Sequence, residues 1–190
     1  MLEHIPSALG AALSGLKAGL AKTAFHAAFS DVPDTITLTS PAFSDGADLP
    51  ARFTADGEGL LPPLAWRGLP DGTDSVVLLV EDAGSPTPQP LVHFIAWDIP
   101  PDPPRLGAEA LSEGGLSGEA PRMGRNSFLH TGWLPPDPPS GHGRHAYVFQ
   151  IYALRQPLRL AERSGRGALL QAMRGRVMAR GHLIGTYSRV

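Results

Sequence analysis

The chain contains no cysteine. Disulfides, thiolate metal sites and thiol nucleophiles are therefore excluded, and the composition does not separate an oxidising from a reducing compartment. There is no run of ~18 apolar residues, so no segment reads as a membrane-crossing helix. Neither nucleotide fingerprint occurs, G-x-x-x-x-G-K or G-x-G-x-x-G, and there is no G-x-S-x-G elbow and no H-E-x-x-H pair. No internal repeat of fixed period appears. Net charge is small, −2. It hides an excess of arginine after position 154, where eight arginines face only Glu162. No aromatic residues interleave with those arginines, so a nucleic-acid partner is not expected.

What the chain does have in quantity is punctuation: 20 prolines and 22 glycines in 190 residues. That density implies short elements and many turns, in one globular β-leaning domain. Residues 1–29 read as an amphipathic helix, because Leu2, Ile5, Leu9, Leu13, Leu16, Leu20, Ala24 and Phe25 recur at spacings of three and four. Glu3 and His4 come first and Lys17 and Lys22 interrupt the stripe, which is not the pattern of a secretory signal. The stripe needs a cover: the chain's own domain, a second subunit or a membrane surface, in that order. Ser30, Asp31 and Val32-Pro33 close the helix. The expected division is a helical extension over 1–33 and a β domain over 34–190, with a cytoplasmic location as the default.

From Thr35 the period becomes two. ITLTS (36–40), ARFTA (51–55), SVVLLVED (75–82), LVHFIAWDI (91–99) and HAYVFQIYAL (145–154) are predicted strands. Residues 100–144 are predicted to form long shaped loops. The stretch 164–180 is predicted as a helix that places Leu169, Leu170, Met173, Val177 and Met178 on one face, followed by a last strand over 182–188.

Alternation puts His145 and Tyr147 on one face at the loop end of their strand. Gly141 and Gly143 precede them and offer positive φ and backbone N–H groups, while Pro138 and Pro139 stiffen the approach. Asp82 ends its strand at a Gly/Ser/Pro turn, and His93 sits among Leu91, Ile95 and Trp97. An aspartate and two histidines are thus expected at one end of a sheet. There the carboxylate would orient an imidazole to meet an oxyanion as a donor.

These residues carry a family likeness. Asp82 to Pro86, Val92-His93-Phe94 and PPSGHGRHAYVFQIYAL (138–154) resemble the two signature regions of the phosphatidylethanolamine-binding proteins, also called Raf kinase inhibitor-like proteins, in their bacterial branch. The resemblance runs from about Ile36 to about Tyr187 and takes in GRNSF (124–128) and LIGTY. It implies a Greek-key antiparallel β-sandwich with a small pocket at one end that holds phosphate-like or carboxylate groups. By the resemblance, Asp82 matches the first aspartate of D-P-D-A-P, His93 the histidine of the H-W pair, and His145 and Tyr147 the ends of H-R-Y. Pro86 matches the motif proline, whose peptide bond is often cis in the family. Three positions depart from the pattern. Gly84 stands in place of the second aspartate, Ala146 in place of the arginine, and Asp137 in place of the glycine before two prolines. Bacterial members are commonly homodimers, which implies the same here.

The resulting expectation is a small-anion or phosphoryl-headgroup binding protein, serving as a regulatory inhibitor of a partner enzyme. Its ligand-binding set is Asp82, Pro86, His93, Asp137, Pro139, Gly141, His145 and Tyr147, with no cofactor, no resident metal and no catalytic residue. Two alternatives use the same cluster. One is a hydrolase with Ser127 or Ser85 as nucleophile and Asp82 with His93 or His145 as its base. The other is a metal site from His142, His145, His93 and Asp82.

Overall fold

A computed structural model describes residues 7–107 and 121–189. Along the chain come helix α1 (Ser7–Leu13), a 3-10 turn (Leu20–Lys22), α2 (Ala24–Ala27), and strands β1 (Thr37–Thr39) and β2 (Leu64–Arg67). The long strands β3 (Ser75–Asp82) and β4 (Leu91–Ile99) follow, then the short β5 (Arg105–Leu106) and β6 (Arg122–Met123). Strand β7 (His145–Leu154), helix α3 (Arg166–Met173) and strand β8 (Val177–Tyr187) complete the described chain. The strands form two antiparallel sheets, a small one ordered β1-β2-β5 and a large one ordered β6-β4-β3-β7-β8.

The large sheet is covered on both faces, which is why β3 reads as an almost unbroken apolar run rather than an alternating one. On the inner face Val76, Leu78 and Val80 pack with Phe149 and Ile151 against Leu38, Leu64, Trp66 and Leu106 of the small sheet. This is the core of a β-sandwich. On the outer face Val77, Leu79, Trp97 and Tyr152 meet Leu169 and Met173 of α3, together with Ala24 and Phe29 from the N-terminal segment. Each buried Leu or Phe contributes about 1.5–3 kcal/mol, so both layers matter to stability.

Four sequence expectations are corrected. The helix predicted over 1–29 is broken: its described part is α1, then an extended stretch, then two short helical turns. The first helix ends at Leu13, and Gly19, with a φ of 92° outside any right-handed helix, separates the extended stretch from the turn at Leu20–Lys22. Leu2 and Ile5 lie outside the described residues, while Ala24 and Phe25 are buried on the chain's own large sheet. ARFTA is a 3-10 turn at Ala51–Phe53 rather than a strand. It is held by the Phe53 N–H on the Pro50 carbonyl and by the Thr54 hydroxyl on the Ala51 carbonyl. The helix predicted over 164–180 stops at Met173 because Gly175, with φ 71°, reverses the chain, so Val177 and Met178 open β8. Strand β2 carried no strong sequence signal. Of the predicted loop region 100–144, residues 108–120 lie outside the described residues; β5 and β6 are short strands in the rest.

A buried polar network anchors residues 22–25 to the back of the large sheet. The fully buried Glu81 carboxylate accepts from the Ala24 N–H at 2.7 Å, from Gln150 Nε2 at 2.8 Å and from Arg166 Nε at 2.6 Å. Gln150 Oε1 in turn accepts from the Phe25 N–H at 2.7 Å and the Tyr152 hydroxyl at 2.8 Å. Arg166 also donates to the Lys22 carbonyl, and Arg180 donates to the carbonyls of Phe25 and Ser30.

Candidate functional site

Strands β3 and β7 run antiparallel with Asp82 opposite Tyr147, so the end of one and the start of the other share one edge of the sandwich. His93 reaches that edge by an irregularity. Strict alternation would group it with Ile95 and Trp97, but Val80 pairs with Phe94 and Glu81 with Val92, a bulge that skips His93. Ile95 and Trp97 then join Val92 in the outer layer. The His93 ring instead meets Tyr147 edge to face, with centroids 5.0 Å apart and planes at 88°.

The hydrogen bonds fix the protons. His93 Nδ1 lies 2.7 Å from the Leu134 carbonyl, which only accepts, so Nδ1 carries the proton and Nε2 presents a lone pair. Burial above all pushes the His93 pKa down and keeps the ring neutral. Tyr147 is its counterpart: burial first, then the Asp82 and Asp137 charges, raise its pKa and keep it a phenol. Both His93 Nε2 and the Tyr147 hydroxyl are buried without a hydrogen-bond partner among the described residues.

A second chain of bonds runs alongside. Asp82 accepts from the Gly84 N–H at 2.8 Å and from His145 Nδ1 at 2.7 Å; His145 Nε2 lies 2.7 Å from His142 Nδ1, and His142 Nε2 lies 2.9 Å from the Leu13 carbonyl. His142 therefore donates at Nε2. Burial, and next the neighbouring His145, depress its pKa. The facing nitrogens of His142 and His145 share one proton, and His145 Nδ1 donates to the Asp82 carboxylate. Both His145 nitrogens are thus engaged inside the protein in this geometry.

A cavity of about 490 Å³ opens at this edge. Asp82, Pro86, His93, Asp137, Pro139, His145 and Tyr147 all line it. Gly141, with φ 77°, does not, and its N–H donates to the Arg189 carbonyl. Leu13, Leu91, Phe128, Leu134, Pro135 and Pro138 make most of the remaining wall apolar, and no lysine or arginine is among the lining residues. The Asp137 carboxylate is balanced from behind by Arg189, 2.5 Å away, which also makes two bonds to Asp56. Those bonds raise the Arg189 pKa and lower that of Asp56. Gly84 has a steric cause: a Cβ there would sit 2.6 Å from His145 Cα. Ser85–Pro86 is trans; the cis bond among the described residues is Asp102–Pro103.

The two alternative chemistries find no matching geometry. Ser127 Oγ accepts from the Val92 N–H, Ser85 Oγ bonds to the Asp82 carbonyl and to Thr87, and neither bonds to a histidine. His142 and His145 do converge, but their facing nitrogens are 2.7 Å apart. That is closer than two nitrogens each held at ~2.0–2.1 Å in tetrahedral array on one zinc ion. Among the described residues no group of three His, Asp or Glu side chains is placed to hold a metal ion.

Sequence reasoning missed Leu13 and Arg189 as parts of this edge. The stripe at 1–29 marked Leu13 as apolar without saying what it covers, and nothing local marked Arg189 as the partner of Asp137.

Comparison with known proteins places these features in a wider set. The family model described as Phosphatidylethanolamine-binding protein matches residues 39–188. A UPF0098 protein of Pyrococcus horikoshii is 37% identical over 156 residues, covering 79% of this chain and 75% of that protein. A UPF0098 protein of Methanothermobacter thermautotrophicus is 35% identical over 154 residues, covering 81% of this chain and 99% of its own. Among solved structures, a phosphatidylethanolamine-binding protein homologue from Chlamydia trachomatis superposes with a TM-score of 0.73 at 32% identity, over 83% of this chain and 99% of that one. E. coli YbcL, described as a member of the mammalian family, gives 0.73 at 26% identity, over 82% and 99%.

Proposed function

The chain belongs to the phosphatidylethanolamine-binding protein family, and we propose that it binds a small ligand with an apolar body and a proton-bearing acid or hydroxyl head in the cavity beside His93 and Tyr147. The observation that carries this reading is a pair of complementary buried atoms without partners, the His93 Nε2 acceptor and the Tyr147 O–H donor, in a mostly apolar cavity. A buried polar group left unpaired costs about 1–3 kcal/mol, so a head that satisfies both is strongly favoured over one that satisfies neither. A phosphate monoester that retains one proton meets the demand, because its P–OH donates to His93 while another oxygen accepts from Tyr147. A fully ionised phosphate has no proton for His93 and meets no free cation in the lining.

This refines the small-anion reading toward the singly charged phosphoryl or carboxylic acid form. Catalysis is not part of the proposal. A regulatory role toward a partner enzyme, homodimeric assembly and a cytoplasmic location belong to the same proposal at family level. Among the described residues no helix is long and apolar enough to cross a membrane.

The test is calorimetry with butyl phosphate, whose second ionisation lies near 6. Saturable binding is expected at about pH 5, where the monoanion prevails, with a roughly 5- to 10-fold loss in Tyr147→Phe, the effect of one hydrogen bond. Absence of binding at that pH, or a Tyr147→Phe variant that binds as well as the native chain, refutes the reading.

A further inference from the structure

The N-terminal segment precedes the family-matched region, which begins at residue 39, yet it contributes to the pocket. Leu13 supplies side-chain wall, and its carbonyl holds His142 against His145. The segment is fastened on both sides of that contact. Upstream, Gly10 lies so close to the 139–142 loop that a Cβ would be 2.1 Å from the Ser140 carbonyl oxygen. Downstream, the N–H groups of Ala18 and Gly19 donate to the carbonyls of Ser85 and Ala83 at 2.8 Å, and Lys17 Nζ donates to the Arg144 carbonyl at 3.1 Å. Behind these, residues 24 and 25 are pinned by Glu81 and Gln150.

We infer that residues 10–19 form an intramolecular cap that determines which charge state of ligand the pocket accepts. With the cap seated, the Leu13 carbonyl fixes His142 in the orientation that occupies His145 Nε2. The pocket then offers only the His93 and Tyr147 pair and selects a protonated head. With the cap lifted, His142 loses its anchor and rotates away. His145 keeps Nδ1 on Asp82, its Nε2 is left without its histidine partner at the cavity wall, and a fully ionised phosphoryl or carboxylate group gains a hydrogen-bonding partner it otherwise lacks. The specificity-determining residues are thus Gly10, Leu13 and His142. The inference rests on the pocket reading above, since it concerns the same cavity.

The glycine that permits the close approach also supplies the test in the full chain. A Gly10→Leu side chain cannot coexist with Ser140 at its present distance and should push α1 off the loop. His142→Ala frees His145 Nε2 and takes one hydrogen bond from the segment, leaving its contacts through Gly10, Lys17, Ala18 and Gly19 in place. The probe is butyl phosphate at about pH 8, where it is a dianion, because its second ionisation is near 6. Both variants are expected to bind the dianion about 10-fold more tightly than the native chain, the effect of one hydrogen bond to a charged ligand group. The gain should vanish when His145→Gln is added to His142→Ala. Dianion affinity in His142→Ala equal to that of the native chain overturns the inference, as does a gain that survives His145→Gln. Monoanion binding by the native chain at about pH 5 judges the pocket reading separately, so the two failures are distinguishable.

Discussion

Replacing Glu81 with alanine tests whether the buried network behind the site holds the N-terminal segment in place. Glu81 is fully buried, as are Ala24 and Gln150, while the Arg166 side chain is 26% exposed. The substitution removes the acceptor for three donors. The Ala24 N–H and the Gln150 amide are buried and cost about 1–3 kcal/mol each on losing this acceptor, Gln150 toward the low end because its Nε2 keeps a long contact of 3.5 Å to the Val148 carbonyl. Arg166 is close enough to solvent to recover part of its hydration. The sum is about 4 kcal/mol, within the ~3–5 kcal/mol range for breaking a buried ion pair by removing one partner. For a chain of this length that lowers the melting temperature by roughly 8–16 °C, at ~2–4 °C per kcal/mol. Glu81→Gln separates the contributions. Its amide oxygen can take the place of Oε2, which serves both buried donors, and its NH2 then faces Arg166, the one partner able to swing toward water. Its expected cost is only about 1–2 kcal/mol. Urea and thermal unfolding followed by circular dichroism measure both variants, and limited proteolysis across residues 14–22 reports whether the segment has loosened. A loss below about 1 kcal/mol in Glu81→Ala, or equal losses in the two variants, refutes the reasoning, because it would mean that the two orphaned donors do not dominate.

Gly84→Ala is expected to cost about 1–3 kcal/mol through overpacking, since its Cβ would lie 2.6 Å from His145 Cα and 2.8 Å from Cγ. Urea unfolding gives the loss, the imidazole N–H resonances should show His145 displaced from Asp82, and native stability would contradict the steric account of this glycine. Stability should also fall as pH drops below the ordinary histidine value of 6.5. His93 and His142 both have folded pKa values depressed mainly by burial, so the unfolded chain takes up protons first and the stabilisation present above 6.5 is lost as pH falls through the folded values. A second loss follows below the usual carboxylate value of 3.8, where Asp48 and Asp56 are held low by Thr186 and Arg189 respectively. Denaturant midpoints at about pH 7.5 and 5.5 that coincide, with His93→Gln no flatter than the native chain, would sink the first part.

The long central strands were legible to the residue because they are the strands covered on two faces. An apolar, β-branched run of eight to ten residues has no other way to be buried. The short elements were not, since ARFTA alternates as well as a strand does and only the preceding proline and the Thr54 hydroxyl turn it into a 3-10 helix. The overrun of α3 has the same origin: Val177 and Met178 fit both a helical face and a strand, and the positive φ of Gly175 decides between them. At the site, residue types and strand ends sufficed to bring Asp82, His145 and Tyr147 together, because antiparallel pairing of β3 with β7 demands it. His93 lies at the same edge but not in the row with Ile95 and Trp97 that alternation gives it, since a bulge adds one residue to a strand without a mark in a period-two pattern.

The same logic explains why the pocket's electrostatics were harder to read than its membership. Counting Asp82, Asp137 and two histidines suggests an anion site, yet each charge is already met by a group distant in sequence: His145 on Asp82, and Arg189 on Asp137. The second His145 nitrogen in turn is engaged by His142, whose orientation depends on a carbonyl 129 residues away in the chain. A site assembled from separate strands shows its members in the sequence, but the proton on each nitrogen is set by contacts that only folding creates. The pair whose buried atoms lack a partner among the described residues is His93 and Tyr147. Leu13 and Arg189, which hold His142 and Asp137 beside that pair, lie outside the matched region 39–188, so the geometry of this edge depends on residues beyond the signature as well as within it.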